Sequence, residues 1–410
     1  MKDRRNFLKT LALGGAALKL GPFAWDGFAA ASVPPVETIA SGAVLRRTLG
    51  KTGLTVPIVS MGVMNADAPG LLRRAYELGI RLYDTAAGYQ QGRNEEMVGQ
   101  VIKEMGVRNK VIVATKEAVP EHDRMLNPAD GKARFIEQTE KSLRRLQMDH
   151  VDILYYHAVD SVEYAHAEGP LEALRTLKKD GKTRFIGIST HKTVDVIGEA
   201  IRLDMFDVAL VMLNYTMAHD DRILSTIERA SKSGIGIVAM KTQAGGSVRP
   251  DAHLPKPLPP ASQTALLKWV LAHDFVTTAI PGFSTYEHLE QDFSVANNLA
   301  YTEDEKTFLA DKSFTAQAEF CQQCGECRAD CSKHAEVPLL MRSHMYAVQY
   351  GNRDMARTLL AGIPAGRGLA ACRSCDACSV ACRNSVQVAR KIGELKALTR
   401  GNPLYASQEL

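Results

Sequence analysis

Three consecutive stretches decide the fold: Val151-Asp152-Ile153-Leu154-Tyr155-Tyr156-His157, then Leu171-Glu172-Ala173-Leu174-Arg175-Thr176-Leu177-Lys178-Lys179, then Arg184-Phe185-Ile186-Gly187-Ile188. The first and third are short, nearly continuous apolar runs, the pattern of a strand covered on both faces. The second repeats its leucines every three residues, as an amphipathic helix does. Reading outward, the same alternation covers most of the chain. Strand-like runs fall at Val56–Val63, Ile80–Tyr83, Lys110–Ala114, Val208–Leu213, Gly236–Met240 and Thr277–Ile280. Helical periods fall between them at Gly70–Leu78, Glu95–Glu104, Phe135–Leu146, Val194–Arg202, Ile223–Lys232 and Ser262–Ala272, and His288–Asn297 closes an eighth unit. Eight strand–helix units in about 250 residues predict an α/β fold of the (β/α)₈ TIM barrel type rather than a doubly wound sheet. No G-x-G-x-x-G follows the first strand, which counts against a Rossmann domain.

The rest of the chain is organised around that barrel. Arg46–Val56 alternates about Gly50 and Gly53 as a small hairpin would, and Pro255–Pro260 reads as a barrel loop. The expected boundaries are a signal segment at 1–31, a linker at 32–43, the barrel at 44–312 and a cysteine-bearing domain at 313–410. The 410 residues are 45% hydrophobic and 23% charged, ordinary for a globular chain with a sizeable core. Fifty basic residues against 46 acidic ones, without a basic run, give no support to a nucleic-acid partner.

The N-terminus reads Asp3-Arg4-Arg5-Asn6-Phe7-Leu8-Lys9, then a mildly apolar stretch, then Ala29-Ala30-Ala31. This is the pattern of a twin-arginine signal with a small-residue cleavage site, and it predicts export in the folded state to the periplasm or another extracytoplasmic space. The apolar stretch is too short for a stable membrane span.

All eight cysteines lie between Cys321 and Cys382. Cys321, Cys324, Cys327 and Cys331 follow C-x₂-C-x₂-C-x₃-C, and Cys372, Cys375, Cys378 and Cys382 repeat it. Three thiolates on one tight loop suit three corners of an iron–sulfur cubane while the fourth faces elsewhere, so two [4Fe–4S] clusters are expected, with Cys382 completing the first set and Cys331 the second. Paired Cys₄ zinc sites are the alternative, although these use C-x₂-C pairs set well apart. The motifs resemble those of bacterial two-cluster ferredoxins. Ser332 and Arg383 stand where those have proline, and Val337–Leu360 between the motifs reads as helical, so the resemblance implies a small, mainly α-helical ferredoxin-like domain.

Residues 44–312 resemble the aldo-keto reductase family through Asp84-Thr85-Ala86 and Tyr89, Asn94-Glu95, Gly99, Thr115-Lys116, His157 and Gly187-Ile188-Ser189. Taken singly, Asp84 reads as a helix cap, Tyr89 as loop packing, Lys116 as a solvated charge and His157 as a strand-end histidine. Together, in order after three successive strands, the resemblance implies a catalytic tetrad of Tyr89, Asp84, Lys116 and His157 that reduces a small carbonyl or oxidises an alcohol. The chemistry asks for these types: tyrosine donates the proton, a lysine ammonium beside it favours the phenolate, aspartate holds the lysine charged, and histidine orients the substrate oxygen. The resemblance also implies NAD(P)H, with nicotinamide contacts at Ser189 and Asn214 and a pyrophosphate groove including Gly282 and Ser284. Leu210, Met240, Gly282 and His288 depart from the family pattern there, and Lys241 could supply a charge.

Clusters pass single electrons whereas nicotinamide passes hydride, so the two halves imply one of two arrangements. Either the barrel is an oxidoreductase linked through its clusters to a redox partner protein, or the chain is an electron-transfer subunit whose barrel is a docking scaffold.

Overall fold

The computed structural model describes residues 44–119, 126–244, 259–311, 319–375 and 377–400. The expected signal and linker lie outside the described residues. An antiparallel hairpin, β1 (Arg46–Thr48) and β2 (Thr55–Pro57), pairs Thr48 with Thr55 across the turn containing Gly50 and Gly53. Gly50 takes φ +50 and packs so closely that a β-carbon there would lie 2.3 Å from the Gly234 carbonyl. Eight parallel strands follow: β3 (Met61–Gly62), β4 (Leu82–Asp84), β5 (Ile112–Glu117), β6 (Val151–Tyr156), β7 (Thr183–Thr190), β8 (Val208–Met212), β9 (Gly236–Met240) and β10 (Thr278–Ala279). They pair in sequence order. Bridges from Val59 to Ala279 and from Gly62 to Gly282 close the sheet on itself, with the Ser60 N–H donating to Ala279 O at 2.8 Å.

The helices between strands lie within a few residues of their expected places, from Pro69–Leu78 to Tyr286–Ser294. One strand differs. The run Val56–Val63 divides at Pro57, which has no N–H for a ladder, so Val56 joins the hairpin and the barrel strand starts at Met61. Inside the barrel, Leu82, Ala114, Ile153, Tyr155, Val208 and Val238 pack on Leu49 and Val56 of the hairpin. That plug shuts the N-terminal end of the strands with apolar side chains. Gly187 makes room for Tyr155, whose ring would lie 2.3 Å from a β-carbon at that position. Polar chemistry is left to the opposite, C-terminal mouth.

Beyond the barrel, Thr302 and Glu305 form a capping box that starts the helix Glu303–Ala310. Val337–Leu360, read as helical, contains two helices, Val337–His344 and Arg353–Ala361. A wide turn at Met345–Gln349, then Gly351 at φ +64 and an Asn352 cap, separate them. A further helix, Val388–Thr399, packs Val388, Ile392 and Leu395 on Val337, Leu340 and Met341 in a small second core. Phe320, Met345, Tyr346, Ala347 and Tyr350 instead join the core of the barrel. Among the described residues no helix is long and apolar enough to cross a membrane.

Two buried carboxyls give the fold a pH dependence. Glu117 accepts from Ser142 Oγ at 2.6 Å, yet burial foremost raises it from 4.5 to about 8. Asp292 accepts from Gln243 Nε2 at 2.8 Å and burial raises it from 3.8 to about 7. Each binds its proton more tightly in the folded state, so the stability it contributes is full below about pH 4 and is lost as pH rises through 7 to 8. Urea unfolding followed at pH 5 and pH 8.5 is expected to show stability falling by on the order of a few kcal/mol, with Glu117→Gln flattening the slope. A wild-type profile that rises over this range would contradict the assignment.

Candidate active site

Asp84 ends β4, Lys116 lies near the end of β5, His157 follows β6, and Tyr89 opens a short turn after β4. All four therefore reach the mouth. The Lys116 side chain is fully buried, and an ammonium out of water must place three protons. One goes to Asp84 Oδ1, one to the Thr85 carbonyl at 2.6 Å and one to Tyr89 Oη at 3.3 Å. Because the ammonium only donates, the Tyr89 oxygen accepts from it and keeps its own O–H to give elsewhere. The Tyr89 ring meets His157 edge-on at 6.1 Å. Gln90 and Gln91 after Tyr89, and Ala158 after His157, have positive φ of 50 to 58°, so the loops carrying these side chains are held in costly backbone.

A layer behind fixes those loops. Asn94 accepts from Thr85 Oγ1 at 2.7 Å and donates to Val63 O at 2.8 Å, tying the turns after β3 and β4 together. Glu95 accepts from Thr115 Oγ1 and from Arg145 Nε at 2.7 Å, with Ser142 Oγ 3.1 Å away, which braces β5.

Burial dominates the electrostatics. It pushes Asp84 up and Lys116 down, and each partly restores the other. Tyr89 stands well above the ordinary tyrosine value through burial first, then the Asp84 charge and Tyr346. The phenol is therefore held in its protonated form, with the Lys116 ammonium 3.3 Å from its oxygen. His157 is held well below its usual value by burial, then by Lys116, Arg342 and Lys241, and is neutral.

A roof over this site is not signalled by any local sequence pattern. Tyr346 and Tyr350, together with Asp84, Tyr89, His157 and Lys241, line a cavity of about 80 Å³. Hydrogen bonds that hold the roof down include Lys241 Nζ to Tyr346 Oη at 3.1 Å, Arg342 to His191 Nδ1 at 3.2 Å, and Asn352 Nδ2 to Asn65 Oδ1 at 3.1 Å.

The expected nucleotide contacts divide. Ser189 and Gly282 line the cavity, and Ser189 Oγ is buried without a hydrogen-bond partner, which suits a polar ligand group. Asn214 is spent internally: it accepts from Thr216 Oγ1 at 2.6 Å and donates to Lys241 O at 3.2 Å. Ser284 Oγ lies 3.4 Å from His288 Nδ1 and is not part of the cavity wall. The wall at Ser189 and Gly282 fits a nicotinamide end, but about 80 Å³ is well below the several hundred Å³ of ordinary cofactor sites, so the roof must lift to admit one.

The cysteines form two mixed sets. Cys321, Cys324 and Cys327 line a cavity of about 400 Å³ together with Cys382 from the second motif. Cys331, from the first motif, lies within electrostatic reach of Cys372, as do Cys375 and Cys378. Gln323 at φ +58 and Gly325 at φ +84 bend the first loop, and Gln323 Nε2 donates to Cys321 Sγ at 3.1 Å. Burial, with neighbouring cysteines adding to it, pushes Cys321 up to about 11 and Cys327 to about 12. Four thiols lining one cavity are a donor set of the kind that holds a metal cluster once deprotonated. Among the described residues no three His, Cys, Asp or Glu side chains are grouped to hold a single metal ion. The first set abuts the barrel, where Lys192 Nζ donates to Cys324 O at 3.0 Å and Gln322 Nε2 to Thr216 O at 2.7 Å.

A parallel barrel that gathers its polar side chains at the C-terminal mouth is an enzyme architecture. The profile of the Aldo/keto reductase family matches residues 60–265, half of the chain, and the chain belongs to that family as an aldo/keto reductase-type oxidoreductase. L-galactose dehydrogenase of Arabidopsis thaliana is 29% identical over 289 residues, covering 62% of this chain and 88% of that protein. L-glyceraldehyde 3-phosphate reductase of Escherichia coli K12 is 26% identical over 320 residues, covering 64% and 91%. The holo form of aldo-keto reductase AKR11C1 from Bacillus halodurans superposes with a TM-score of 0.53 at 25% identity, covering 65% and 95%. An aldo-keto reductase from Klebsiella pneumoniae in complex with NADPH shares the fold, with a TM-score of 0.51 at 24% identity, covering 65% and 94%.

Proposed function

We propose that this oxidoreductase reduces a carbonyl, or oxidises an alcohol, with Tyr89 as general acid and base, and exchanges electrons with a redox partner through two [4Fe–4S] clusters. The observation that carries the acid–base part is the saturated Lys116 ammonium, whose bond to the Tyr89 oxygen leaves the phenolic proton to face a substrate. The substrate carbonyl oxygen takes that proton as its carbon gains a hydride, and the C=O π bond becomes one C–H and one O–H bond. Tyr89 is left as phenolate beside the Lys116 ammonium, which stabilises it until a proton returns from solvent. His157, neutral, orients the oxygen by hydrogen bonding. Ser189 and Gly282 would hold the nicotinamide end of a reduced nucleotide, which would supply the hydride.

Cys321, Cys324, Cys327 and Cys382 would hold one cluster, and Cys372, Cys375, Cys378 and Cys331 the other; bound clusters supply one-electron transfer. The cavity of about 400 Å³ that Cys321, Cys324, Cys327 and Cys382 help to line leaves room for a polynuclear group. The Arg4-Arg5 motif supports export of the folded, cluster-loaded chain by the twin-arginine route to an extracytoplasmic space. The narrow roofed cavity favours a second reading, in which the barrel docks a partner and the clusters alone work.

Tyr89→Phe separates the two readings: kcat/KM for carbonyl reduction is expected to fall by about 10²–10⁴, and unchanged turnover would leave only the scaffold reading. Anaerobically purified protein is expected to hold roughly eight iron and eight sulfide per chain. Cys382→Ser should remove one cluster signal in EPR and keep the other; loss of neither, or a zinc content in place of iron, would refute the ligand assignment. Cell fractionation of a variant carrying Arg4→Lys and Arg5→Lys should find the protein retained in the cytoplasm, and undiminished export would refute the signal.

A further inference from the structure

Hydrogen-bond donors crowd the closed mouth of the barrel, and negative charge is scarce there. Lys241 follows β9 with φ +57, a backbone that a residue with a β-carbon adopts at a cost. Its ammonium has three N–H groups, and its one side-chain acceptor among the described residues is Tyr346 Oη at 3.1 Å. It also lies over the Tyr346 and Tyr350 rings at 4.6 and 5.2 Å, and among the described residues no carboxylate pairs with it.

His191 adds a donor whose position follows from chemistry. A guanidinium only donates, so His191 Nδ1, which meets Arg342 at 3.2 Å, is the accepting nitrogen and Nε2 bears the proton. That N–H is buried without a partner, His191 lines the cavity, and Ser189 Oγ is in the same position on another part of the wall. The one carboxylate on the described wall, Asp84, is matched by Lys116. The field is consistent with this count. Burial, then Arg342 and Lys241, holds His191 well below its usual value, and Tyr346 is lowered although burial alone would raise it, because Lys241, Arg342 and Lys116 outweigh burial.

We propose that this mouth is an anion site and that the substrate carries a carboxylate beside its carbonyl, as a two- or three-carbon 2-oxo acid does, or a 2-hydroxy acid in the oxidative direction. The inference rests on the acid–base reading of Tyr89. The carboxylate takes the Lys241 ammonium, the His191 Nε2–H and the Tyr346 hydroxyl, and the adjacent carbonyl turns to Tyr89. Hydride and the tyrosyl proton then convert the 2-oxo acid to the 2-hydroxy acid with the carboxylate unchanged. Lys241 and Tyr346 come from the two halves of the chain, so the site exists only when the cysteine-bearing segment is seated.

Calorimetric titration of the full chain with oxamate, a 2-oxo acid analogue, and with oxamide, its neutral counterpart, tests this. Oxamate is expected to bind at least about tenfold more tightly than oxamide. Lys241→Gln should weaken oxamate by about tenfold or more, and Lys241→Arg should restore it to within a few-fold. Equal binding of the two probes would overturn the proposal, as would unchanged oxamate affinity in Lys241→Gln. A Lys241→Gln protein that loses NADP⁺ but keeps oxamate would also overturn it, by assigning the cation to a nucleotide phosphate. Lys241-dependent oxamate binding in a protein whose turnover ignores Tyr89→Phe would sustain the anion site and sink the acid–base reading. Tyr89-dependent turnover of neutral carbonyls without oxamate preference would do the reverse.

Discussion

The three protons of the buried Lys116 ammonium constrain the barrel mouth more than any other group. Burying a charge without partners is prohibitive, so each proton needs an acceptor at hydrogen-bonding distance. The register supplies them: Asp84 pairs with Ala114, which brings the end of β4 to within two residues of Lys116 along β5, and the backbone then turns the Thr85 carbonyl and the Tyr89 hydroxyl inward. Asn94 and Glu95 make that turn rigid from behind. Even the apolar plug of Leu49 and Val56 at the far end belongs to this arrangement, because it leaves the lysine no route to water from below.

Much of this was legible in the sequence, for a physical reason. Strands of a closed parallel barrel are covered on both faces and read as continuous apolar runs, so a polar residue at the end of one stands out. Asp84, Lys116 and His157 were visible in that way, and the structure brings them together with Tyr89. The direction of the Tyr89 shift was not visible, since it depends on how deeply the ring is buried and on the Asp84 charge beside it. Nor was the fate of Asn214, whose amide is consumed by Thr216 two residues on and by the Lys241 carbonyl. The roof was least visible of all. Its bonds join residues 105 positions apart, Lys241 and Tyr346, and 151 apart, His191 and Arg342, and no local period encodes such pairs.

The helical reading of Val337–Leu360 is sharpened by packing. Gly351-Asn352 ends one helix and caps the next, Gly351 at φ +64 and Asn352 accepting from the Met355 N–H. Tyr346 and Tyr350 join the barrel core while Leu360 joins the second core.

This geometry also bears on how the two halves communicate. Leu340 and Met341 face the core shared with the cysteines, while Arg342, one residue on, bonds His191 at the mouth. Lys192, the next residue in the barrel loop, bonds the Cys324 carbonyl. One short helix and one loop thus touch the substrate cavity and the first cysteine set at once. Close-packed elements transmit displacement rather than absorb it, so this helix and loop join the Tyr346 and Tyr350 roof and the Cys324 loop in one packing arrangement.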